Sequence, residues 1–427
     1  MNIAATFGTH AATKNSGTEW LGNIPVEWDV KKMKFLFRDY SRKGMPSAEL
    51  LSVTQNQGVV PRTWVENRMV MPSGNLESFK FIEKGDFAIS LRSFEGGLEY
   101  CHHDGIISPA YTVLKRRSEE LLPAYYRYLF KSAAFISELQ TSIVGIREGK
   151  NISFEELSYS LMPIPSPGEQ RAIAAFLDRK CAKIDEAVRI KEEQIALLRE
   201  RRQILVQQAV TRGVNSDAPM KDSGIDWIGE IPAHWEVENP KWLFRHRKQR
   251  AIKGEQQLAA TQKYGVIPQD EFMEREGRRV VVVFLDFDIL KHVEAGDFVM
   301  SMRSFQGGLE YSEYTGCVSS AYVALEPGPR IFAKFYKYLF KSNGYIKALQ
   351  TTSNLVRDGQ ALRFDNFAMV PLPVVPLHEQ RKISEELDAT SAKTDKAISI
   401  KQDQIAALKE YKTSLINTAV TGKIKVI

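Results

Sequence analysis

Two long stretches of this chain carry apolar residues at alternating steps of four and three. In the first, which opens at Pro167 and Glu169, the positions are Leu177, Cys181, Ile184, Val188, Lys191, Ile195, Leu198, Arg202, Leu205 and Ala209. In the second, which opens at Pro376 and Glu379, the same register runs through Leu387, Ser391, Thr394, Ile398, Lys401, Ile405, Leu408, Lys412, Leu415 and Ala419. Such spacing is the seam of a coiled coil. The proline and the acid at each start suit the first turn of a helix. Both seams place a basic residue at the same two positions, Lys191 with Lys401 and Arg202 with Lys412. Two such helices in one chain can cover each other.

The remainder alternates short β-rich runs, such as DFAISLRSF and AYTVLKR, with Gly-containing turns, then gives way to the helical stretch AYYRYLFKSAAFISELQ. It also occurs twice. GTEWLGNIPVEWDVKKMKFLFR from Gly17 returns as GIDWIGEIPAHWEVENPKWLFR from Gly224, an offset of 207; GDFAISLRSFEGGLEY from Gly85 returns from Gly296, an offset of 211. A period this long is that of a domain rather than a solenoid repeat. The chain therefore divides into an α+β module over 1–165, a helix over 166–213, a linker over 214–223, a second α+β module over 224–375 and a second helix over 376–427. The strand-like RRVVVVFLDF accounts for a four-residue insertion in the second module. Trp20, Ile24, Pro25 and Trp28, matched by Trp227, Ile231, Pro232 and Trp235, are expected to pack an edge of each core.

The relative direction of the helices follows from reach. Glu169 to Val210 is 42 residues, about 63 Å of helix at about 1.5 Å per residue. The linker spans at most about 35 Å. Parallel helices would ask one compact module to bridge the whole rod, so an intramolecular antiparallel coiled coil is expected, with a module at each end. The C-terminus would then return beside Gly17, because QQAVTRG and NTAVTGK end the two helices alike and SGTEWLGNIP and SGIDWIGEIP follow them around a circle.

With 427 residues, 43% hydrophobic and 26% charged, the composition is that of an ordinary globular protein. No long apolar run or leader-like start appears, and the scattered cysteines Cys101, Cys181 and Cys317 fit a reducing compartment, so a cytoplasmic location is expected. Of the net charge of +6, the two helical regions hold +5. Local basic clusters such as Lys31, Lys32, Lys34 and Arg38 hint at a polyanion without proving one.

The order of module and helix, twice, with an SGxxWxGxIPxxW opening, a GDF strand in each module and a proline followed by EQR at each helix start, resembles the specificity subunit of Type I restriction-modification systems. The resemblance spans nearly the whole chain. It implies two target-recognition domains joined by two helical regions, a chain that binds no cofactor of its own, and double-stranded DNA as a partner. It further implies two adenine-N6 methyltransferase subunits docked on the chain, with a restriction subunit able to join them. S-adenosylmethionine, ATP and Mg would then belong to those partners. A rod with a reader at each end suits a bipartite target with an unread gap.

Candidate DNA contacts follow from the repeated segments. Arg92 with Ser93, and Arg303 with Ser304, end a strand before a Gly-Gly turn, where the arginine suits phosphate or the O6/N7 edge of guanine; an ion pair to Glu99 or Glu310 is the alternative. Thr54 and Gln55, repeated as Thr261 and Gln262, present an amide suited to adenine or form a polar turn. Arg147, Lys150 and Asn151, with Arg357 and Gln360, read as loops that meet phosphates. Shared features can position both halves but not tell them apart, so discrimination is expected where the copies differ, at 39–49 and 62–78 against 246–257 and 269–286. No phosphate-binding loop, dinucleotide turn or [ND]PP[YF] methyltransferase motif is present. Cys101, His102 and His103 are matched by Ser312, Glu313 and Tyr314, and read as structural rather than metal-binding. A bipartite transcriptional regulator and a scaffold without enzymatic partners are the competing readings. If the helices are a ruler, inserting four residues at matched positions in both should lengthen the gap in the methylated motif by one or two base pairs, at about 1.5 Å per helical residue and about 3.4 Å per base pair; an unchanged gap removes that role.

Overall fold

The computed structural model describes residues 7–65, 76–144, 151–277, 287–352 and 362–426. The chain folds as two compact units, Met1–Lys191 with Gln402–Ile427, and Glu192–Lys401. Each therefore contains one α+β module and a segment of each of two long helices, Pro167–Arg212 and Leu377–Val420.

In the first unit the module is built on a four-stranded antiparallel sheet in the order Phe37–Asp39, Thr112–Arg116, Phe87–Ile89, Glu99–Tyr100. The two-residue period of a strand sends alternate side chains to opposite faces. Phe37 and Phe87 point to one face, where they pack edge-to-face on Phe130 at centroid distances of 5.4 and 4.8 Å. The helices Pro123–Leu129 and Ala133–Leu139 bring Tyr126, Phe130 and Phe135 to that face. Pro123 occupies the first turn of one helix, where its missing N–H costs nothing, and the Ser132 hydroxyl accepts from Phe135 N to start the other. On the opposite face Ala88 and Val113 join Leu51, Val59, Ile82, Cys101 and Ile107 in a second apolar cluster. That cluster lies beneath the hairpin Leu51–Thr54/Gly58–Pro61 and the ribbon Lys80–Ile82/Gly105–Ile107.

The second unit repeats this plan with Phe244–Arg247, Val323–Pro327, Phe298–Met300 and Glu310–Tyr311 in the same sheet order. Phe244 and Phe298 pack on Phe340 at 5.5 and 5.0 Å. The strand-like run at 278–286 lies outside the described residues.

Within each unit the helix segments pair antiparallel. In the first, Lys412 Nζ meets both oxygens of Asp185 at 2.7 Å, and Lys191 Nζ donates to Gln404 Oε1 at 2.7 Å, so later positions of one helix face earlier positions of the other. In the second, Arg202 donates to Asp395 at 2.7 Å, while Val206 and Ala209 share a core with Ile383 and Leu387. Leu177, Cys181, Ile184, Val188, Ile195, Leu387, Ile398, Ile405, Leu415 and Ala419 are buried, and Leu198, Leu205 and Leu408 half-buried. Arg202–Asp395 and Lys412–Asp185 occupy equivalent places in the repeat. Partly exposed pairs of this kind add little stability but penalise a slipped register.

The tryptophan of the opening motif fixes each module to the helices. Trp28 is fully buried, donates its indole N–H to Glu169 Oε2 at 2.8 Å and lies against Gly422, whose φ is +70°. Trp235 repeats this with Glu379 at 3.1 Å and with Gly213. The next residue of the EQR motif completes the lock. Gln170 is fully buried, accepts from Leu122 N at 2.8 Å and donates to the Pro165 and Glu120 carbonyls. Gln380 makes the same three bonds with Phe332, Val375 and Arg330. The end of the second helix closes on the start of the chain within the first unit: Lys423 Nζ donates to Leu21 O at 2.7 Å and Lys425 N to Gly8 O at 3.2 Å.

Gln170→Ala strips three backbone groups of their partner at once, that of Pro165 in a buried bond. It should cost roughly 2–5 kcal/mol, read as a lowered urea midpoint by tryptophan fluorescence, and Gln380→Ala should behave alike. A loss under about 0.5 kcal/mol in both, the level of a neutral surface change, contradicts the lock.

Candidate nucleic-acid interface

The segment RSFxGG caps the sheet of each module. After the strand Phe87–Ile89 the chain turns through Ser90, Leu91 and Arg92 into the short helix Ser93–Gly96. Ser93 Oγ accepts from Ser90 N at 2.8 Å, and Arg92 N donates to Ser90 Oγ at 3.3 Å. Gly97 ends the helix at φ +78°, and a Cβ there would lie 2.0 Å from Phe130 O, so only glycine fits. In the second module Ser301 N donates to Ser304 Oγ at 2.9 Å, and a Cβ at Gly308, φ +77°, would lie 1.8 Å from Phe340 O.

This geometry corrects one expectation. Ser93 and Ser304 are fully buried, and their hydroxyls are spent on the turn. They shape the tip and do not reach a nucleic acid. Arg92 and Arg303 stand out from it, both exposed. Among the described residues neither guanidinium has an ion-pair partner, so the alternative pairs to Glu99 and Glu310 do not form.

Those glutamates belong instead to a lysine of the repeated YLFKS segment, a link that sequence reasoning missed. Lys131 Nζ donates to Glu99 Oε1 at 2.6 Å, to Gly96 O at 2.9 Å and to Gln55 O at 3.1 Å. Lys341 repeats the bonds to Glu310 at 2.7 Å and Gly307 O at 2.9 Å. Burial pushes the carboxyl groups of Glu99 and Glu310 up to about 7, against the pull of the lysine. Recurrence of both a glutamate and a lysine at matching places was the available signal.

The hairpin turn lies beside this tip. Thr54 Oγ1 donates to Gly58 O at 2.9 Å and accepts from Gln57 N at 3.1 Å; Thr261 does the same with Gly265 and Tyr264 at 3.1 and 3.0 Å. The threonines thus take the polar-turn role. Gln55 and Gln262 extend across Gly96 and Gly307, which leave room by lacking a side chain. Each donates from Nε2 to the carbonyl of Arg92 or Arg303, at 3.4 and 3.3 Å. Arginine and glutamine are therefore brought together in each module. Asn151 pairs through its backbone with Val144, while Arg147, Lys150, Arg357 and Gln360 lie outside the described residues. At the Cys101-His102-His103 run, the Cys101 thiol is buried, donates to His103 O at 3.0 Å and is pushed up to about 12 by burial. It is a packed thiol rather than a thiolate ligand.

Residues 232–410 match the family model described as the Type I restriction modification DNA specificity domain. The chain is 21% identical to a putative type I restriction enzyme specificity subunit, MjaX, of Methanocaldococcus jannaschii, over 95% of this chain and 96% of that one. It is 24% identical to the MjaVIII specificity subunit of the same organism, over 81% and 80%. Among solved structures it is similar to a chain of a type I R-M system studied for its complex assembly and conformational transition (TM-score 0.67, 14% identity, 93% of this chain and 98% of that one). It is also similar to the HsdS subunit from Thermoanaerobacter tengcongensis (TM-score 0.53, 15% identity, 94% and 98%). Residues 232–410 thus carry the match to a Type I restriction modification DNA specificity domain, and the chain is similar over most of its length to type I restriction enzyme specificity subunits.

Its two-module, two-helix α+β fold is that of those solved structures. No helix among its described residues is long and apolar enough to cross a membrane. The two modules differ around their shared tips. In the first, Arg62–Trp64 form a single turn whose Trp64, 60% exposed, packs on His103 at 5.0 Å. In the second, Gln269–Glu276 form a two-turn helix tied down by Tyr264 Oη donating to Glu276 Oε1 at 2.8 Å. Arg247 chelates Asp297 at 2.7 and 3.1 Å. The first module has Tyr40 at the place of that arginine, and burial pushes the carboxyl of the matching Asp86 up to about 6.

A carboxyl raised in the folded state stabilises the fold below its ordinary pKa and loses that contribution as pH climbs through the raised value. Stability of the wild type should therefore fall from pH 5 to pH 8 relative to a Glu99→Gln/Glu310→Gln variant, by up to about 3 kcal/mol per site. Parallel urea profiles at the two pH values contradict this.

Proposed function

We propose that this chain acts as a specificity subunit, reads a bipartite DNA target with an unread spacer and holds two adenine-N6 methyltransferase subunits, with restriction subunits able to join, over the two half-sites. The observation that carries the reading is the repeated tip. In each module an exposed arginine and an adjacent glutamine project from a turn whose backbone is fixed by a buried serine, a glycine and a lysine. An arginine held in this way suits guanine or phosphate, and a glutamine suits adenine.

Shared tips explain how both modules engage duplex DNA in one manner. The distinct flanks, Arg62–Trp64 against Gln269–Glu276 and Tyr40 against Arg247, supply the differences that make the two half-sites unlike. The relatives are subunits of type I restriction enzymes and of an R-M system that assembles into a complex, which supports methyltransferase and restriction subunits as the proteins served. S-adenosylmethionine, ATP and Mg then reside on those partners.

Mapping N6-methyladenine across the host genome with and without this gene tests the reading. The expected result is the loss, on deletion, of one motif with two short blocks, an adenine on each strand and a fixed gap. Arg92→Ala and Arg303→Ala should each weaken binding of that motif about 5- to 150-fold, as expected of a lost base contact worth about 1–3 kcal/mol, each relaxing one block only. Deletion that removes no motif while the methyltransferase subunits are expressed, or variants that relax neither block, overturns it.

A further inference from the structure

Each reading tip also exposes a large apolar side chain, at the same place in both modules. Leu91 is 51% exposed and Met302 is 40% exposed, and each immediately precedes the exposed arginine. A lone exposed leucine is ordinary on a protein surface. A matched pair is less so, because the surrounding turn is built to hold it outward. The strand residues just before it, Ile89 and Met300, are 2% and 1% exposed, and Ser90 and Ser301 are buried as well. The buried serines Ser93 and Ser304 then lock the turn from behind. Collapse of the apolar side chain onto the module is thus prevented by the same bonds that project the arginine.

We propose that Leu91 and Met302 are wedges, one for each half of the target, that enter the base stack beside the arginine contact and hold a step open. The proposal rests on the reading of the chain as a duplex-DNA reader given above. An apolar side chain between bases is withdrawn from water, and this offsets the few kcal/mol that unstacking one step costs. The adjoining Arg92 or Arg303 supplies the charge that keeps the wedge against a polyanion. Gln55 or Gln262, bonded to the same arginine's carbonyl, fixes the tip's register on the neighbouring pair. Pyrimidine–purine steps, which open most readily, are the expected place of entry. Chemistry on a base requires that base to leave the stack, so a step held open in each half lowers the barrier that a partner methyltransferase faces.

The test uses the complex of the full chain with its methyltransferase subunits and a duplex bearing the mapped motif. 2-Aminopurine is placed in turn at each unmethylated position of both blocks. The wild-type complex should raise its fluorescence at one step in each block. Leu91→Ala should abolish the rise in one block and Met302→Ala in the other, slowing methylation about tenfold while affinity changes by no more than about twofold. Leu91→Met and Met302→Leu should retain the rise, which separates a wedge from a general disturbance of the tip. An unchanged rise in both alanine variants, with the motif still bound, overturns the wedge and leaves the reading of DNA intact. Failure of the wild-type complex to bind the duplex would instead sink that reading.

Discussion

The hydrogen bond from a buried indole to the first glutamate of a long helix is the contact on which each half of this molecule depends. Trp28 and Glu169, and again Trp235 and Glu379, bind module to helix at the point where the chain passes from one to the other. The following glutamine turns that contact into a lock by bonding three main-chain groups at the junction, the bond to Pro165 O fully buried. A helix start is rich in unpaired N–H groups and favours an acid. The glutamate therefore serves the helix with its charge and the module with its oxygen. A loose joint here would leave each reading tip free to swing on its helices, and a recognition element one ångström out of place forfeits much of its discrimination.

The same economy appears at the tips. Nearly every group that both modules share is structural: Ser93 and Ser304 in the turn, Gly97 and Gly308 where a carbonyl leaves no room, and Lys131 and Lys341 stapling a buried carboxylate. What these groups leave projecting is small, an arginine, a glutamine and one apolar side chain. The surrounding differences are of another kind. An arginine on Asp297 stands where the first module has Tyr40, and a two-turn helix replaces one turn carrying an exposed tryptophan. A duplicated scaffold with divergent edges is what a two-part target requires, since common features can only orient the two halves in common.

Much of the architecture was legible in the sequence because it is written in periods and repeats. The four-three spacing from Leu177 and from Leu387 specified helices, and the returning SGxxWxGxIPxxW and GDF segments specified two like modules. The reach of the linker over 214–223 favoured antiparallel pairing, and Lys412 on Asp185 and Arg202 on Asp395 have that sense within their units. What stayed hidden were side-chain choices settled by tertiary context. Ser93 looks as available as Arg92 in the string RSF, yet the turn buries one and projects the other. Glu99 lies close to Arg92 in sequence, but its partner is Lys131, which the fold brings from the helical segment to the sheet edge. Thr54 and Gln55 are adjacent and equally polar, and only the hairpin geometry spends the first and leaves the second at the tip.

The central claim is that each module reads its own half of the target from a common scaffold. It is tested most directly by replacing residues 17–165 with a second copy of 224–375 and mapping the adenine methylation that results with the methyltransferase subunits present. The account predicts a palindromic motif in which both blocks are the one formerly read by the second module, with the gap unchanged. Retention of the original two unlike blocks, or methylation with no relation to either, would contradict it.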